Sequence, residues 1–163
     1  DKRVIAKLYE ASTNGVKIDL IVRGICTLRP GIAGVSDHIT VRSIVGRFLE
    51  HHRLFYFRNG GNEKLFLSSA DWMPRNLNER VELMIPIEDK RHKSRIKGIL
   101  DLYLVDTLKT HIMRADGSYY KASNVEGPLS AQEELMEAAN TQENKEQMTV
   151  IERFKPMFKM KEY

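Results

Sequence analysis

The stretch HHRLFYFRNGGNEKLFLSSADW, residues 51–72, decides the fold. Two runs rich in aromatic and aliphatic residues, 53–57 and 64–67, flank the tetrapeptide Asn59-Gly60-Gly61-Asn62. Asparagine and glycine accept the left-handed backbone that a tight turn between antiparallel strands requires. The stretch therefore predicts a β-hairpin.

On the N-terminal side of this hairpin, the pattern predicts one helix and two strands. Apolar residues at helical spacing over 4–12 precede Asn14-Gly15, which is a typical helix stop. The β-branched run 18–22 and the alternating segment 39–45 then predict two strands.

On the C-terminal side, residues 79–87 predict a further strand and residues 89–108 a long helix. Asp116-Gly117 predicts a second hairpin, between 110–114 and 118–121. Ser130 and Glu133 form the S-x-x-E pattern that begins a helix over 131–142. This alternation predicts an α/β fold: a mixed sheet flanked by helices, with the long helix packed on it through Ile96, Leu100 and Tyr103.

The length of 163 residues indicates one domain with an appended tail. We expect the domain to span residues 1–125 and a helical C-terminal extension to span 126–163. Residues 126–147 carry six acidic residues and one basic residue, whereas the whole chain has a net charge of +4. Eight of the ten basic residues from Lys17 to Arg80 are arginines, whose planar donor fork suits phosphate oxygens. The basic part thus indicates an anionic partner, with an ordinary solvated surface as the simpler alternative.

Several classes of protein are excluded. A single cysteine, Cys26, excludes a disulfide framework within the chain, and no apolar run reaches the 18 residues of a membrane span. No signal peptide is visible, and we expect a cytoplasmic location, with peripheral membrane association left open. Because the chain starts at Asp1, inside a predicted helix, we also expect it to be part of a longer protein.

Three basic side chains are candidates for binding phosphate. Arg23 follows the strand 18–22, and ligands of open α/β sheets lie beyond the carboxyl ends of strands. His51 and Arg53 are two residues apart at the start of a strand, so they face the same side. An imidazole can act on a phosphoryl group while a guanidinium neutralises its oxygens. The simpler interpretation is that the histidine lies at a strand edge without a catalytic role.

The residues H-x-R and S-S-A-D-W, which bracket the hairpin, resemble a degenerate phospholipase D signature. His51 matches the histidine of that signature, Arg53 replaces its lysine, and Arg58 stands where its aspartate is expected. Ser69 and Asp71 lie near the positions of its serine and asparagine.

Three longer segments closely resemble the C-terminal domain of bacterial polyphosphate kinases. They are LYEASTNGVKIDLIVRGICTLRPG, GVSDHITVRSIVGRFLEHHRLFYFRNGG and LFLSSADWMPRNLNERVE, within a resemblance that covers residues 4–108. The resemblance implies a phospholipase D-like fold that forms one half of a two-domain catalytic unit. It also implies reversible transfer of the terminal phosphoryl group of ATP to polyphosphate, through a phosphohistidine and with magnesium.

In this family the phosphorylated histidine and the magnesium ligands lie in the preceding domain. The resemblance therefore implies no metal ligand in this chain, contact of Arg23 and His51 with ATP, and no activity of the chain alone. We expect His51 to have a catalytic role as general acid toward the leaving ADP oxygen, which requires a protonated ring, favoured beside phosphate. The partners implied are ATP or ADP, polyphosphate and the preceding domains of the same polypeptide, with no nucleic acid, and we expect the full-length protein to be a homo-oligomer.

Further residues receive supporting roles. We expect Arg53 to bind polyphosphate, Ser69 and Asp71 to orient His51, and Arg75 and Arg80 to line an anion channel. We interpret Trp72 as packing and His52 as non-catalytic. The remaining histidines lack metal-ligand spacing, so no zinc site is predicted: they are His38, His92 and His111.

Two other functions stay open at this stage. One is a phospholipase D-like phosphodiesterase or phosphatidyl transferase, which Arg53 and Arg58 disfavour. The other is a non-catalytic module that binds polyanions or nucleic acids, for which binding should depend steeply on salt. The sequence leaves open the oligomeric state, the polymer length, the favoured direction of transfer, the stability of the chain alone and the role of residues 126–163.

Overall fold

The computed structural model describes residues 1–122 and 127–141. Within the expected C-terminal extension, residue 126, the predicted helix end at Gln142 and residues 143–163 lie outside the described residues, and the domain division at 125/126 stays a prediction. In chain order the elements are α1 (Lys2–Thr13), β1 (Ile18–Ile21), β2 (Ile39–Ile44), β3 (Arg53–Phe57), β4 (Lys64–Ser68), α2 (Pro74–Glu79), β5 (Met84–Pro86), α3 (Lys90–Val105), β6 (Thr110–Met113) and β7 (Tyr119–Lys121). A further helix, α4, is described over 131–141.

The first sheet is mixed and has the strand order β1-β2-β6-β7. β1 runs parallel to β2, with Ile18 opposite Ile39, whereas β6 is antiparallel to both of its neighbours. The second predicted hairpin is confirmed as β6 and β7. Gly117 at its turn has a φ of 90°, a conformation that favours glycine.

Apolar clusters cover both faces of β2, as expected when the side chains of a strand alternate. On one face Ile39 and Val41 pack with Leu28 and with side chains from α1. On the other face Ile44 packs with Tyr103 of α3 and with Ala131 of α4. Helices therefore flank this sheet on both sides.

The predicted packing of α3 is confirmed for Tyr103, which is buried. Ile99 and Leu102 of the same helix pack against that cluster, and they are half-buried, as are Ile96 and Leu100.

The second sheet is antiparallel, with the order β3-β4-β5, so the strands divide between two sheets. The hairpin over 51–72 is confirmed, with Arg53 opposite Ser68 and Phe57 opposite Lys64. Three consecutive residues at its tip have positive φ values: Asn59 (47°), Gly60 (61°) and Gly61 (96°).

The strand predicted over 79–87 is only partly correct. Its first residue, Glu79, is instead the last residue of α2, a helix that begins at Pro74, where the missing N–H of proline costs no hydrogen bond. The strand is limited to Met84–Pro86 and lies at the sheet edge, where a proline is tolerated.

The helix α3 ends at Val105, earlier than predicted. The side chain of the next residue, Asp106, makes hydrogen bonds that take the place of a further helical turn. The buried carboxyl group accepts hydrogen bonds from the backbone N–H of Lys109, the hydroxyl of Thr110 and the backbone N–H of Ala131. Within 1–122 and 127–141, no helix is both long and apolar enough to cross a bilayer.

Candidate functional site

Arg23 follows β1 and contacts the segment that connects the two sheets. Its Nη1 donates a hydrogen bond to the backbone oxygen of Glu50 at 2.5 Å, across 27 positions of sequence. Arg23 is nevertheless exposed. The guanidinium therefore lies beside the residue that precedes His51 and keeps other N–H donors accessible to a ligand.

Arg53 begins β3 and contacts His51, as the spacing of two residues predicts. Its Nη1 donates to the backbone oxygen of His51 at 3.0 Å and lies 3.3 Å from the ring nitrogen Nδ1. Because a guanidinium only donates hydrogen bonds, Nδ1 faces it as an acceptor. A neutral His51 ring in this contact carries its proton on Nε2.

Asp71 follows β4, the second strand of the hairpin, and binds Arg53 at the start of the first strand. The Nε atom of Arg53 donates to Oδ1 of Asp71 at 3.0 Å. This hydrogen bond is the main reason that the pKa of Asp71 lies below its usual value, and the charges of Arg53, Arg23 and His51 act in the same direction. The four side chains thus share one electrostatic environment.

Ser69 belongs to a neighbouring group. Its hydroxyl donates to the carboxylate of Glu82 and accepts the backbone N–H of Leu83 at 3.0 Å. The structure therefore places this hydroxyl where the two ends of the connection between β4 and β5 meet. The expected role of Ser69 in orienting His51 stays a prediction.

Arg80 reaches the same group, whereas Arg75 is exposed on α2. The Nε atom of Arg80 lies 3.6 Å from a carboxylate oxygen of Glu82. Hydrogen bonds from Ser69 and Asn76 hold the pKa of Glu82 below its usual value, and the charges of Arg80 and Arg53 lower it further. The charges of Arg80 and Arg53 thus both act on the carboxylate of Glu82.

The interpretation of Trp72 as a packing residue agrees with the structure. The Trp72 ring stacks on Phe55, with 4.7 Å between the ring centroids. Cys26 is half-buried against the core on the α1 side, and burial raises the pKa of its thiol.

A second layer of polar contacts was not predicted from the sequence. Glu50 accepts a hydrogen bond from Nε2 of Gln132 at 2.5 Å, and its other oxygen lies 3.4 Å from Nδ1 of His52. Burial and a hydrogen bond with Glu50 raise the pKa of Tyr103 well above its usual value. The His52 ring packs against Tyr103.

The residues described do not fit a magnesium site. Over 1–122 and 127–141, no three His, Cys, Asp or Glu side chains form a group that could hold a metal ion. The carboxylates nearest to His51 already have protein partners: Asp71 binds Arg53, and Glu50 binds Gln132. The expected location of the magnesium site in another domain stays a prediction.

Comparisons with known proteins agree on one family. The model of the family "Polyphosphate kinase C-terminal domain 2" matches residues 1–132. The chain is 55% identical over 139 residues to a polyphosphate kinase of Pseudomonas aeruginosa, a match that covers 84% of the chain and 20% of the relative. It is 56% identical over 124 residues to one of Bacillus anthracis, which covers 76% of the chain and 18% of the relative.

A solved structure shows the same fold. The crystal structure of a polyphosphate kinase from Porphyromonas gingivalis matches with a TM-score of 0.83 and 40% identity, over 89% of this chain and 22% of that chain. The chain therefore spans about a fifth of the length of these relatives. The expected phospholipase D-like α/β fold is confirmed.

Proposed function

The chain belongs to the polyphosphate kinase family, as its C-terminal domain 2, and on this basis we propose that it forms one wall of a polyphosphate kinase active site. The reaction is the reversible transfer of the terminal phosphoryl group of ATP to polyphosphate. This chain binds phosphoryl oxygens there and assists the departure of ADP.

The observation that carries this proposal is that two arginines bind the backbone on either side of the peptide bond that joins Glu50 to His51. Arg23 comes from the mixed sheet and Arg53 from the antiparallel sheet, and they bind the backbone oxygens of the consecutive residues Glu50 and His51. Two guanidinium groups beside an exposed imidazole form a site for an anion with several oxygens. The relatives are named for a substrate of that kind.

Four residues, here called the cluster, have distinct roles in this proposal: Arg23, His51, Arg53 and Asp71. The exposed guanidinium of Arg23 binds phosphate oxygens of ATP, and the remaining donors of Arg53 bind ATP or the polyphosphate chain. His51 donates a hydrogen bond from Nε2 to the ADP oxygen that leaves as its bond to phosphorus breaks; the ring keeps its proton and stabilises the charge that develops on that oxygen. Asp71 holds Arg53 in the orientation that turns Nδ1 of His51 toward the guanidinium.

The remaining features of the reaction follow from the family resemblance. We propose that the preceding domain of the same polypeptide supplies the histidine that accepts the phosphoryl group and the residues that bind magnesium. A homo-oligomer in the cytoplasm stays our expectation for the full-length protein.

The test uses a full-length polyphosphate kinase that carries this domain. Each contact with a charged group contributes roughly 1.5–3 kcal/mol. Arg23→Ala should therefore lower kcat/KM for ATP by about tenfold to a hundredfold. His51→Ala should lower kcat more than it raises KM, because its contact strengthens as charge develops on the leaving oxygen.

Arg114→Ala provides the matched control. Arg114 is an exposed arginine that stacks on Tyr120 at the second hairpin, away from the cluster. Its replacement should leave polyphosphate synthesis unchanged. Equal effects of the Arg23 and Arg114 substitutions would contradict a specific phosphate site at Arg23.

A further inference from the structure

The segment 45–52, which carries His51, has little apolar packing to hold it. It connects β2 of one sheet to β3 of the other and has no helical or strand hydrogen bonds of its own. Its large apolar side chains point outward: Val45 is 62% exposed, Phe48 47% and Leu49 74%. Polar contacts must therefore keep this segment in a fixed position.

Gln132 supplies three of these polar contacts, beside those that Arg23 and Arg53 make with the backbone oxygens of Glu50 and His51. Its side-chain oxygen accepts the backbone N–H of Phe48 at 3.0 Å, and its nitrogen donates to the backbone oxygen of Phe48 at 2.9 Å. The same nitrogen donates to the carboxylate of Glu50. One buried amide thus satisfies three groups of the segment.

The position of Gln132 is itself fixed. It stands in the first turn of α4, where Ser130 caps the helix and the carboxyl group of Asp106 binds the N–H of Ala131. Gly46 approaches the amide so closely that a Cβ atom there would lie 2.3 Å from its oxygen. Any side chain at residue 46 would therefore displace the amide.

Glu50 connects this amide to the candidate site. Its carboxylate binds Gln132, while its backbone oxygen accepts the hydrogen bond from Arg23. His51 follows directly in the chain. A shift of Glu50 therefore moves both the anchor of Arg23 and the backbone of His51.

We propose that Gln132 is a positioning residue that holds segment 45–52, so that His51 and Arg23 face the same phosphoryl group. This inference rests on the proposed function and adds α4 to the site. Small displacements of catalytic groups can lower rates strongly, and Gln132 therefore acts on turnover without touching the substrate.

The first test replaces Gln132 in a full-length polyphosphate kinase that carries this domain. Gln132→Met keeps the length of the side chain and removes its hydrogen bonds. We expect kcat to fall at least about tenfold, with a smaller rise in KM for ATP. The exposed Glu134 lies on the same helix, and Glu134→Gln should leave both constants unchanged.

The second test is a double-mutant cycle with Gly46→Ala, which removes no polar group. Alone, this substitution should displace Gln132 and lower kcat. In a Gln132→Ala background it should have little further effect, because the amide that it displaces is gone. Equal losses in both backgrounds would show that residue 46 acts independently of Gln132 and would overturn the proposal.

Hydrogen exchange separates this inference from the proposed function. The Phe48 amide should exchange faster in Gln132→Met than in the parent, whether or not the parent is active. Unchanged exchange would overturn the positioning role, as would faster exchange with an unchanged kcat in an active enzyme. A parent enzyme that makes no polyphosphate would instead contradict the proposed function.

Discussion

At the scale of single residues, Arg53 organises the candidate site. Its guanidinium contacts the backbone and ring of His51 and the carboxylate of Asp71. A lysine has one ammonium group and lacks the planar fork that makes these contacts together. The arginine at this position thus combines a structural contact with a charge directed at the ligand.

The pKa of Asp71 reports on the contact between its carboxylate and Arg53. Arg53→Gln should raise this pKa toward the ordinary value of an aspartate, about 3.9, because its main stabilising hydrogen bond is lost. The carboxyl pKa can be followed by NMR titration, with Arg114→Gln as the control. An unchanged pKa in Arg53→Gln would contradict the contact.

The same lowered pKa gives the contact a defined pH dependence. A carboxyl group whose pKa is lower in the folded state stabilises the fold at pH values above its unfolded pKa. That contribution is lost as the pH falls through the lower folded value. The Arg53–Asp71 pair should therefore be intact at neutral pH and open only in acid.

Part of the candidate site could be predicted from residue spacing. Arg53 and His51 are two positions apart, so their contact follows from local spacing. Arg23 binds Glu50 across 27 positions, and it was assigned from its place after a strand and from the family resemblance. Gln132 and Glu50 are 82 positions apart and meet only in the folded chain. The single sequence contains no signal for that contact.

At the scale of elements, the β3–β4 hairpin depends on its turn. Gly61 has a φ of 96°, which other residues adopt only with strain, whereas Gly98 lies in the middle of α3 with open space around it. Replacement of the two glycines by alanine should therefore change the stability of the fold in opposite directions. Their substitutions provide a matched pair.

Gly61→Ala should destabilise the domain by about 1–2 kcal/mol, since an L side chain is strained in a left-handed conformation. Gly98→Ala should stabilise it by roughly 0.5–1 kcal/mol, because alanine favours the helix. Urea unfolding of both variants measures the two free energies. Equal changes of the same sign would contradict the backbone assignment of the turn.

The hairpins and the long helix were predictable because their signals are local. Asn59-Gly60-Gly61-Asn62 and Asp116-Gly117 determine turns without help from distant residues. The strand over 79–87 was only partly correct, because Pro74 starts a helix and the Glu82 side chain binds Ser69 and Asn76. Those contacts depend on the folded hairpin and are not visible in an alternation pattern.

At the scale of the whole molecule, the fold brings residues from two sheets and one helix to the segment that carries His51. Arg23 reaches it from the mixed sheet, Arg53 from the antiparallel sheet and Gln132 from α4. Fold class was predictable from the order of helix and strand patterns. The division into two sheets was not, because strand patterns do not say which strands pair.

The chain alone should not make polyphosphate. In the proposed reaction the phosphoryl group is accepted by a histidine of another domain, so this chain supplies only part of the site. Incubation with radiolabelled ATP should give neither labelled polymer nor acid-labile phosphohistidine. Labelling at His51 would contradict the roles assigned here.

The most direct measurement of the central claim is a structure of a full-length polyphosphate kinase carrying this domain with a non-hydrolysable ATP analogue. Nitrogen atoms of Arg23 and His51 should lie about 2.7–2.9 Å from phosphate oxygens of the same bound analogue, with Arg53 beside them. An analogue bound in the active site with its phosphates away from Arg23 and His51 would contradict the claim.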